Sequence, residues 1–502
     1  MMIQQIKKTL SLPGILFSAI SGFLFLLTQS TSTSPLYSWS YVDSTIFRLM
    51  GLTLARGGKF YVTTIDSKGP VLFFIEALGA WISSGKIGIF MIQYLFLIVT
   101  LFSVLLIAKQ LVANKYIWIF PLLYLCFYGF AFEGGNLSEE FSLSFIFLGI
   151  YLVLYLFKNG SLGSKKTKIS FKTENLLLFF LGSLAALTFF IRANNAAAII
   201  AAILALSYFM LKRLPAKQFF TFFSSIIAGF LLVASILAGY FIINHSYSDM
   251  IYGTFLFNYR YSVNHSRDFF NAFPTSFSAA AIVVCILSLT TAFLYYQSKR
   301  DAKVPLLLVL VGVFSTLTLY VSGHNWLHYL QLLMPPFIIS LMMLCVALDD
   351  TLKRVSERKI YSTLGYIGLF IFLLMDFSVV YGYRHERKAN EINIRDSIQI
   401  INEIPVNQRN SVYGYGINPL PFTETSVLPS KRLTALQDWM IQQDPFLKNE
   451  VYSYFQINPP KWLILSPQYP PEDAFISEFV SSNYRQVYSN TNYTLNELTI
   501  SE

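Results

Sequence analysis

Between Val71 and Ile82 the chain reads V-L-F-F-I-E-A-L-G-A-W-I. Whether this stretch crosses a membrane decides on which side everything after it lies. It is apolar but about a dozen residues long, whereas a hydrocarbon core of about 30 Å needs about 20 residues of helix. It therefore reads as a re-entrant or interfacial helix. Longer apolar runs at roughly 11–29, 87–110, 116–132, 140–158, 176–191, 196–212, 218–243, 276–297, 304–322, 329–348 and 361–381 read as spans. If 71–82 does not cross, the basic groups Lys7 and Lys8, Lys109 and Lys115, Lys158 to Lys172, Lys212 to Lys217, Lys299 to Lys303 and Lys353 to Lys359 share one side. By the positive-inside rule that side is the cytoplasm. If 71–82 did cross, every group after the first would move outside. The loops 30–86, 133–139, 192–195, 244–275 and 323–328, and all that follows Tyr381, are thus expected to face outward.

Composition agrees. Of 502 residues, 54% are hydrophobic and 13% charged, and mean hydropathy is +0.52. Soluble proteins carry about 25% charged residues. Lipid offers no partner for backbone polar groups, so apolar runs of this length imply helices that satisfy their own. The net charge of +10 sits mostly in short loops, so topology explains it and nucleic acid is not expected as a partner. Cys126, Cys285 and Cys345 lie inside apolar runs and read as small core residues, not as a disulfide framework or metal site. Leu10 to Thr28 has no small-residue cleavage site and reads as a retained first span with a cytoplasmic N-terminus.

Near Tyr383 the chain changes character. Residues 384–502 read as a small α/β domain outside the membrane, following a transmembrane unit 1–383. Ile392, Ile394, Ile398, Ile400 and Ile401 have helical spacing. Ser411–Tyr415 and Trp462–Leu465 are strand candidates, and Tyr484–Tyr488 with Tyr493–Ile500 reads as a closing hairpin. The fold class expected is a mainly α polytopic bundle of about eleven spans with a C-terminal α/β extracytoplasmic domain.

The polar residues worth attention lie outward. Tyr41 to Pro70 holds two acids, Asp43 and Asp66, and four bases, Arg48, Arg56, Lys59 and Lys68. Asp43 precedes an amphipathic stretch, Ser44–Arg56, stopped by Gly57-Gly58. It reads either as the N-cap of that helix or as a general base that takes a proton from an acceptor hydroxyl, with partial desolvation raising its basicity. In Asp66-Ser67-Lys68-Gly69-Pro70, Gly69-Pro70 is a helix start. That leaves Lys68 to hold a phosphate as a point charge and Asp66 to orient an acceptor or position Lys68. Arg56 is a further phosphate candidate.

The second outer loop, Phe132 to Phe141, reads F-E-G-G-N-L-S-E-E-F. Ser138 can cap the next helix, and acids suit a helix N-terminus. Alternatively Asn136, Glu139 and Glu140 bind acceptor hydroxyls or a divalent cation, although no D-x-D occurs here. Arg192, beside Asn194 and Asn195, either snorkels or grips a phosphate in bidentate fashion. Arg260 lies in a Tyr- and Asn-rich loop and is another phosphate candidate. His324 and His328 flank Trp326. With no third ligand nearby they make a poor zinc pair, but they suit donors to a phosphate or sugar.

Asp43, then D-S-K-G-P at Asp66–Pro70, G-G-N-L-S-E-E at Gly134–Glu140, R-A-N-N at Arg192–Asn195 and H-N-W-L-H-Y at His324–Tyr329 together resemble bacterial GT-C glycosyltransferases. The chain is similar to the protein O-mannosyltransferase and lipid A aminoarabinose transferase group over about residues 10–380. The resemblance implies transfer of a sugar from a polyprenyl-phosphate carrier on the outer face of the membrane, with inversion. The acceptor would be a cell-envelope glycan, lipid or protein. It also implies a base from the first outer loop, by position Asp43, and basic residues that steady the departing phosphate; no cofactor is expected, and metal dependence is not implied. Relatives often carry an Asp-Glu pair at this place. Here Asp43 is followed by Ser44, which leaves Asp66 as the candidate second acid. A flippase of lipid-linked glycans would show internal repeats and mid-membrane polar groups. A polysaccharide polymerase would rest on one large late loop. The C-terminal domain is expected to shape acceptor access.

Overall fold

The structure, a computed structural model, describes residues 12–38, 41–112, 117–163, 169–260, 275–321, 326–351, 357–435, 441 and 444–499. Among these, eight helices are long and apolar enough to cross a membrane: Lys86–Leu111, Ser138–Asn159, Phe171–Ile191, Ala193–Arg213, Ala216–Ile243, Ser278–Lys299, Lys303–Tyr320 and Leu327–Ala347. The expected spans at 11–29 and 116–132 are the shorter helices Leu12–Gln29 and Ile119–Gly129. The second has only 11 residues, about 16 Å of rise. The expected span at 361–381 is part of a 46-residue helix, Glu357–Asn402. The chain is built as a multi-pass membrane protein.

The stretch at 71–82 is the helix Pro70–Ile82 of 13 residues, about 20 Å long at 1.5 Å per residue. That is short of a crossing, as its sequence implied. It starts where expected, with Gly69 as N-cap and Pro70 at the first helical position. Leu78, Trp81 and Ile82 at its far end are exposed, and a tryptophan there suits the membrane–water interface.

Helices in lipid associate where small residues let backbones approach. A Cβ on Gly182 would stand 1.9 Å from Ile226 O, and one on Gly229 would stand 1.9 Å from Phe179 O. The helices Phe171–Ile191 and Ala216–Ile243 therefore touch backbone to backbone. Beyond that seam the second helix turns Ile227, Leu231, Ile236 and Ile243 outward, an apolar face that lipid solvates.

The outer loop 30–86 has a core of its own. The helix Val42–Ala55 crosses Pro70–Ile82 at Gly51, where an added Cβ would sit 2.6 Å from the Glu76 backbone. Phe47, Met50, Phe60, Tyr61, Leu72 and Phe73 close over this crossing together with Ile191, Leu237 and Phe241 of the bundle. On its other side, Leu49 packs with Ile400, Ile401, Val412 and Trp462. The loop helix is thus held between the bundle and the C-terminal segment.

That segment forms a four-stranded sheet in the order β1-β2-β4-β3, with β1 Val412–Gly414, β2 Trp462–Leu465, β3 Tyr484–Ser489 and β4 Thr494–Leu498. β1 and β2 run parallel, β2 and β4 antiparallel, and β3–β4 is the hairpin read from the sequence. Asp444 and Asp473 accept from backbone N–H groups at the starts of helices Pro445–Gln456 and Ala474–Asn483. The helix of residues 357–402 runs unbroken past Tyr383, so the change from apolar to polar there marks no break in the backbone. No proline interrupts 361–402, and a helix leaving lipid needs no turn to do so.

The glycine seam gives a direct test. Gly182→Val would force the two helices apart at a backbone contact, and overpacking of this kind costs about 1–3 kcal/mol. The detergent-solubilised variant is expected to melt below the wild type in a thermal unfolding assay, whereas Gly239→Val, where no neighbour lies within 4 Å, is expected to melt with it.

Candidate active site

The loop helix Val42–Ala55 starts at Tyr41 and ends in a glycine stop. Gly57 has φ +80°, and the N–H groups of Gly57 and Gly58 donate to Leu54 O and Thr53 O at 3.1 and 2.8 Å. This double bond pattern satisfies the last carbonyls. The start differs from the N-cap reading of Asp43. Tyr41 is the N-cap residue, with no side-chain cap, and Asp43 is the second residue of the helix. Its carboxylate gains from the positive helix end, and among the described residues it accepts no capping hydrogen bond. It is half-buried. Burial pushes its pKa above the usual 3.8, Lys68 and His328 oppose that shift, and Asp66 and Glu139 add to it. One carboxylate thus feels four residues from three separate segments.

Asp66 and Lys68 are fixed by a tight turn. Lys68 N donates to Asp66 Oδ1 at 3.0 Å, and Lys68 Nζ lies 3.1 Å from Ser67 Oγ and 4.0 Å from Asp66 Oδ1. The next residue joins the turn to the bundle. Gly69 N donates to Ile191 O at 2.8 Å, and a Cβ on Gly69 would stand 2.1 Å from Phe190 O. Only glycine fits against that carbonyl. Lys68 and Arg192 therefore lie on either side of a single backbone contact.

The second outer loop turns through four consecutive left-handed residues, Glu133 at φ +46°, Gly134 at +80°, Gly135 at +76° and Asn136 at +63°. For Glu133 and Asn136 this is a strained conformation. It is held by Ser32 N to Gly134 O at 3.1 Å, by Asn136 N to Glu140 Oε2 at 2.8 Å and by Asn136 Nδ2 to Ser44 Oγ at 2.9 Å. Asn136 and Glu140 are buried. They brace the loop and tie it to the residue after Asp43, and their burial does not support the acceptor contacts expected of them. Ser138 does not cap the next helix. Leu137 is the N-cap residue, and Ser138 Oγ donates to Glu139 Oε2 at 2.9 Å.

Glu139 is buried and faces Arg192. Arg192 Nη1 donates to Glu139 Oε1 at 2.6 Å and Nη2 to the Tyr329 hydroxyl at 2.7 Å, and the guanidinium lies 4.6 Å from the Tyr329 ring centre. Arg192 points into protein, which sets aside the snorkelling alternative. One residue earlier, His328 Nδ1 lies 2.5 Å from Glu133 Oε2, and His328 N donates to the same oxygen at 3.3 Å. Tyr41 joins the group, its phenol pushed up to about 12 by burial and then by Glu133, Asp43 and Tyr329.

The structure thus brings together Asp43, Asp66, Lys68, Glu139, Arg192 and His328. Arg56 stands apart at the far end of the loop helix, exposed, about 20 Å from Asp43 at 1.5 Å per residue. Arg260 turns to the C-terminal segment, where Nη1 meets Asp444 Oδ1 at 3.1 Å. His324 lies outside the described residues. Sequence reasoning missed the parts played by Tyr329, Glu133 and Arg48. Tyr329 ends one quoted motif and Glu133 immediately precedes another. Arg48 pairs with Glu424 at 3.1 Å while nearly fully buried, and no local spacing announces such a partner.

Chemically, the cluster offers a half-buried carboxylate with no capping partner, a lysine whose ammonium meets its own turn and the Phe47 ring, and an arginine and a histidine already paired with acids. The arrangement suits an anion placed beside a base.

No protein-family model and no curated protein matches the chain. Solved structures do. Crystal structures of ArnT from Cupriavidus metallidurans, one bound to undecaprenyl phosphate and one in the apo state, each align with TM-score 0.60 at 10% identity, over 96% of this chain and 97% of theirs. A crystal structure of the Archaeoglobus fulgidus oligosaccharyltransferase, tethered with an acceptor peptide containing the NVT sequon via a disulfide bond, aligns with TM-score 0.50 at 10% identity over 97% of this chain and 74% of that one. The likeness is one of fold. The chain shares the fold of these structures over nearly its whole length, bundle and C-terminal segment together.

The Arg192–Glu139 pair can be tested on stability. Removing one partner strands the other where Glu139 is 1% exposed, and such a loss costs about 3–5 kcal/mol. Arg192→Met is expected to lower the melting temperature markedly, and adding Glu139→Gln to recover part of it. Additive losses in the double variant would mean that the two charges do not depend on each other.

Proposed function

We propose that the protein is a membrane glycosyltransferase. It takes a sugar from a polyprenyl-phosphate carrier and delivers it to a hydroxyl of a cell-envelope glycan, lipid or protein on the outer face of the membrane. The observation that carries this reading is the convergence of Asp43, Lys68 and His328 at one end of the helices, where Lys68 and His328 both act on the Asp43 carboxylate. The GT-C fold, shared with an ArnT that binds undecaprenyl phosphate, supports it.

In the proposed reaction Asp43 accepts the proton of the acceptor hydroxyl as that oxygen attacks the anomeric carbon. The bond from that carbon to the phosphate oxygen breaks, and its electron pair leaves with the lipid phosphate. Attack opposite the leaving group inverts the anomeric centre. Lys68 is the cation least committed to a protein acid, with its nearest carboxylate oxygen 4.0 Å away, and it takes the phosphate. Arg192, fixed by Glu139, supplies positive potential where negative charge develops, and His328, fixed by Glu133, lines the same place. Asp66 holds the Lys68 backbone. Base and cations all come from side chains, so transfer is expected to survive chelation by EDTA. The acids and bases gather at helix ends and not at mid-span, which favours chemistry over passage through the bilayer.

The test compares wild type and Asp43→Asn at equal abundance in membranes supplied with radiolabelled polyprenyl-phosphate hexoses and native cell-envelope acceptor. Loss of a general base lowers the rate about 10²–10⁴-fold, and a loss of that size is the expected result. Normal transfer by the variant would return Asp43 to a structural role. Labelled lipid crossing the bilayer with no donor consumed would replace the transferase by a flippase.

The pH dependence follows from burial. Protonated Asp43 is no base, so activity falls as pH drops through its raised pKa. The acid limb of the pH–rate profile is expected above 3.8, the usual value for this carboxyl, and absent from the residual activity of Asp43→Asn.

A further inference from the structure

Arg432 belongs to the C-terminal segment, and its guanidinium has three kinds of partner. Nε and Nη2 donate to Glu450 Oε1 and Oε2 at 2.6 and 2.8 Å, a bidentate pair within the same segment. Nη1 donates to Asp249 Oδ1 at 2.7 Å, beyond the end of helix Ala216–Ile243. Nη1 also donates to the backbone oxygen of Tyr61 at 2.7 Å, in the first outer loop. The backbone oxygen of Arg432 accepts from Ile65 N at 3.3 Å. The side chain is 15% exposed, so these bonds are shielded from water and the planar fork is held in one orientation.

Tyr61 carries that hold forward. It is fully buried and sits at φ +65°, a left-handed conformation that a bulky residue keeps only when its surroundings impose it. Arg432 grips the carbonyl of this strained residue. At the other end of the ring, the Tyr61 hydroxyl donates to Lys68 O at 2.8 Å and accepts from Thr254 Oγ1 at 3.1 Å. Lys68 is thus fixed at its carbonyl by Tyr61 and at its N–H by Asp66.

We propose that Arg432 is a positioning residue through which the C-terminal segment, by way of Tyr61, sets Lys68 in place for the lipid phosphate. The part assigned to Lys68 rests on the transferase reading above, while the mechanical link from Arg432 to Lys68 does not. Domain glue alone would explain the bonds to Glu450 and Asp249. It would not call for a grip on Tyr61, whose hydroxyl meets the lysine turn. Lys68 has a charge to place, and its ammonium meets Ser67 Oγ in its own turn and the Phe47 ring 5.6 Å away, so where it stands follows from where its backbone is held.

The test uses the full chain in detergent, with Arg432→Lys, Tyr61→Phe and Lys68→Met, and undecaprenyl phosphate without sugar as the probe. Tyr61→Phe keeps the ring and removes one hydroxyl, so it remains informative if Arg432→Lys folds poorly. Two readouts are taken, the affinity for the probe and the amide hydrogen exchange of residues 62–69. Exchange in that segment is expected to quicken roughly three- to tenfold in Tyr61→Phe, as for one lost hydrogen bond, with the melting temperature unchanged. Probe affinity is expected to weaken by a similar factor, and Tyr61→Phe should have no added effect in the Lys68→Met background. Unaltered exchange in both Tyr61→Phe and Arg432→Lys would overturn the proposal, as would equal effects of Tyr61→Phe with and without Lys68. If exchange quickens but even the wild type fails to bind the probe, the link from Arg432 to Lys68 stands and the phosphate reading falls.

Discussion

The structure depends on a single backbone contact, the amide of Gly69 against the carbonyl of Ile191 at 2.8 Å. The approach is so close that a Cβ would stand 2.1 Å from the preceding carbonyl. This contact joins the outer loop to the end of a membrane helix. On one side stands Lys68 and on the other Arg192, so two cations distant in sequence become neighbours without a side chain binding them to each other. A hydrogen bond between main chains can do this where the side chains could not, because like charges repel. The same contact starts the helix Pro70–Ile82, which crosses the loop helix at Gly51 and so supports the segment that carries Asp43.

Around that contact the charges are dealt with unequally. Glu139 takes Arg192, and Glu133 takes His328. Isolated ions are expensive to bury, and these pairings offset much of that cost. Asp43 and Lys68 are left with looser arrangements, one at a helix end without a capping partner and the other held by its own turn. Paired groups hold their geometry and loosely held groups are free to react. The strained run Glu133–Asn136 is part of the same arrangement, since it aims Glu133 at His328 and returns Asn136 to Ser44 beside Asp43. Strain stored next to a cluster of this kind fits a site whose geometry is imposed by its surroundings.

Local chemistry read from the chain survived wherever the cause was local. The apolar runs became helices, Gly57-Gly58 stopped the loop helix, Gly69-Pro70 began the short one, and the turn at 489–492 joined β3 to β4. Partnership did not survive in the same way. Asn136 and Glu140 sit where a polar loop meets a helix and yet are buried. Arg260 looked like a free cation and is paired with Asp444. Arg48 meets Glu424. Being placed on a loop at the outer face says which compartment a residue borders, and leaves open whether its side chain meets water or another segment.

The sequence by itself determined the class of this protein and where its apolar helices and polar loops fall. Both follow from the length and polarity of contiguous stretches, and lipid enforces them on any chain. Only the tertiary structure decided which of those residues form one cluster and which hold it in place. Glu139 with Arg192, Glu133 with His328, and Arg432 with Tyr61 are pairings between segments far apart in the chain. Their geometry is set by how helices and loops pack, a property of the whole chain that no local pattern encodes.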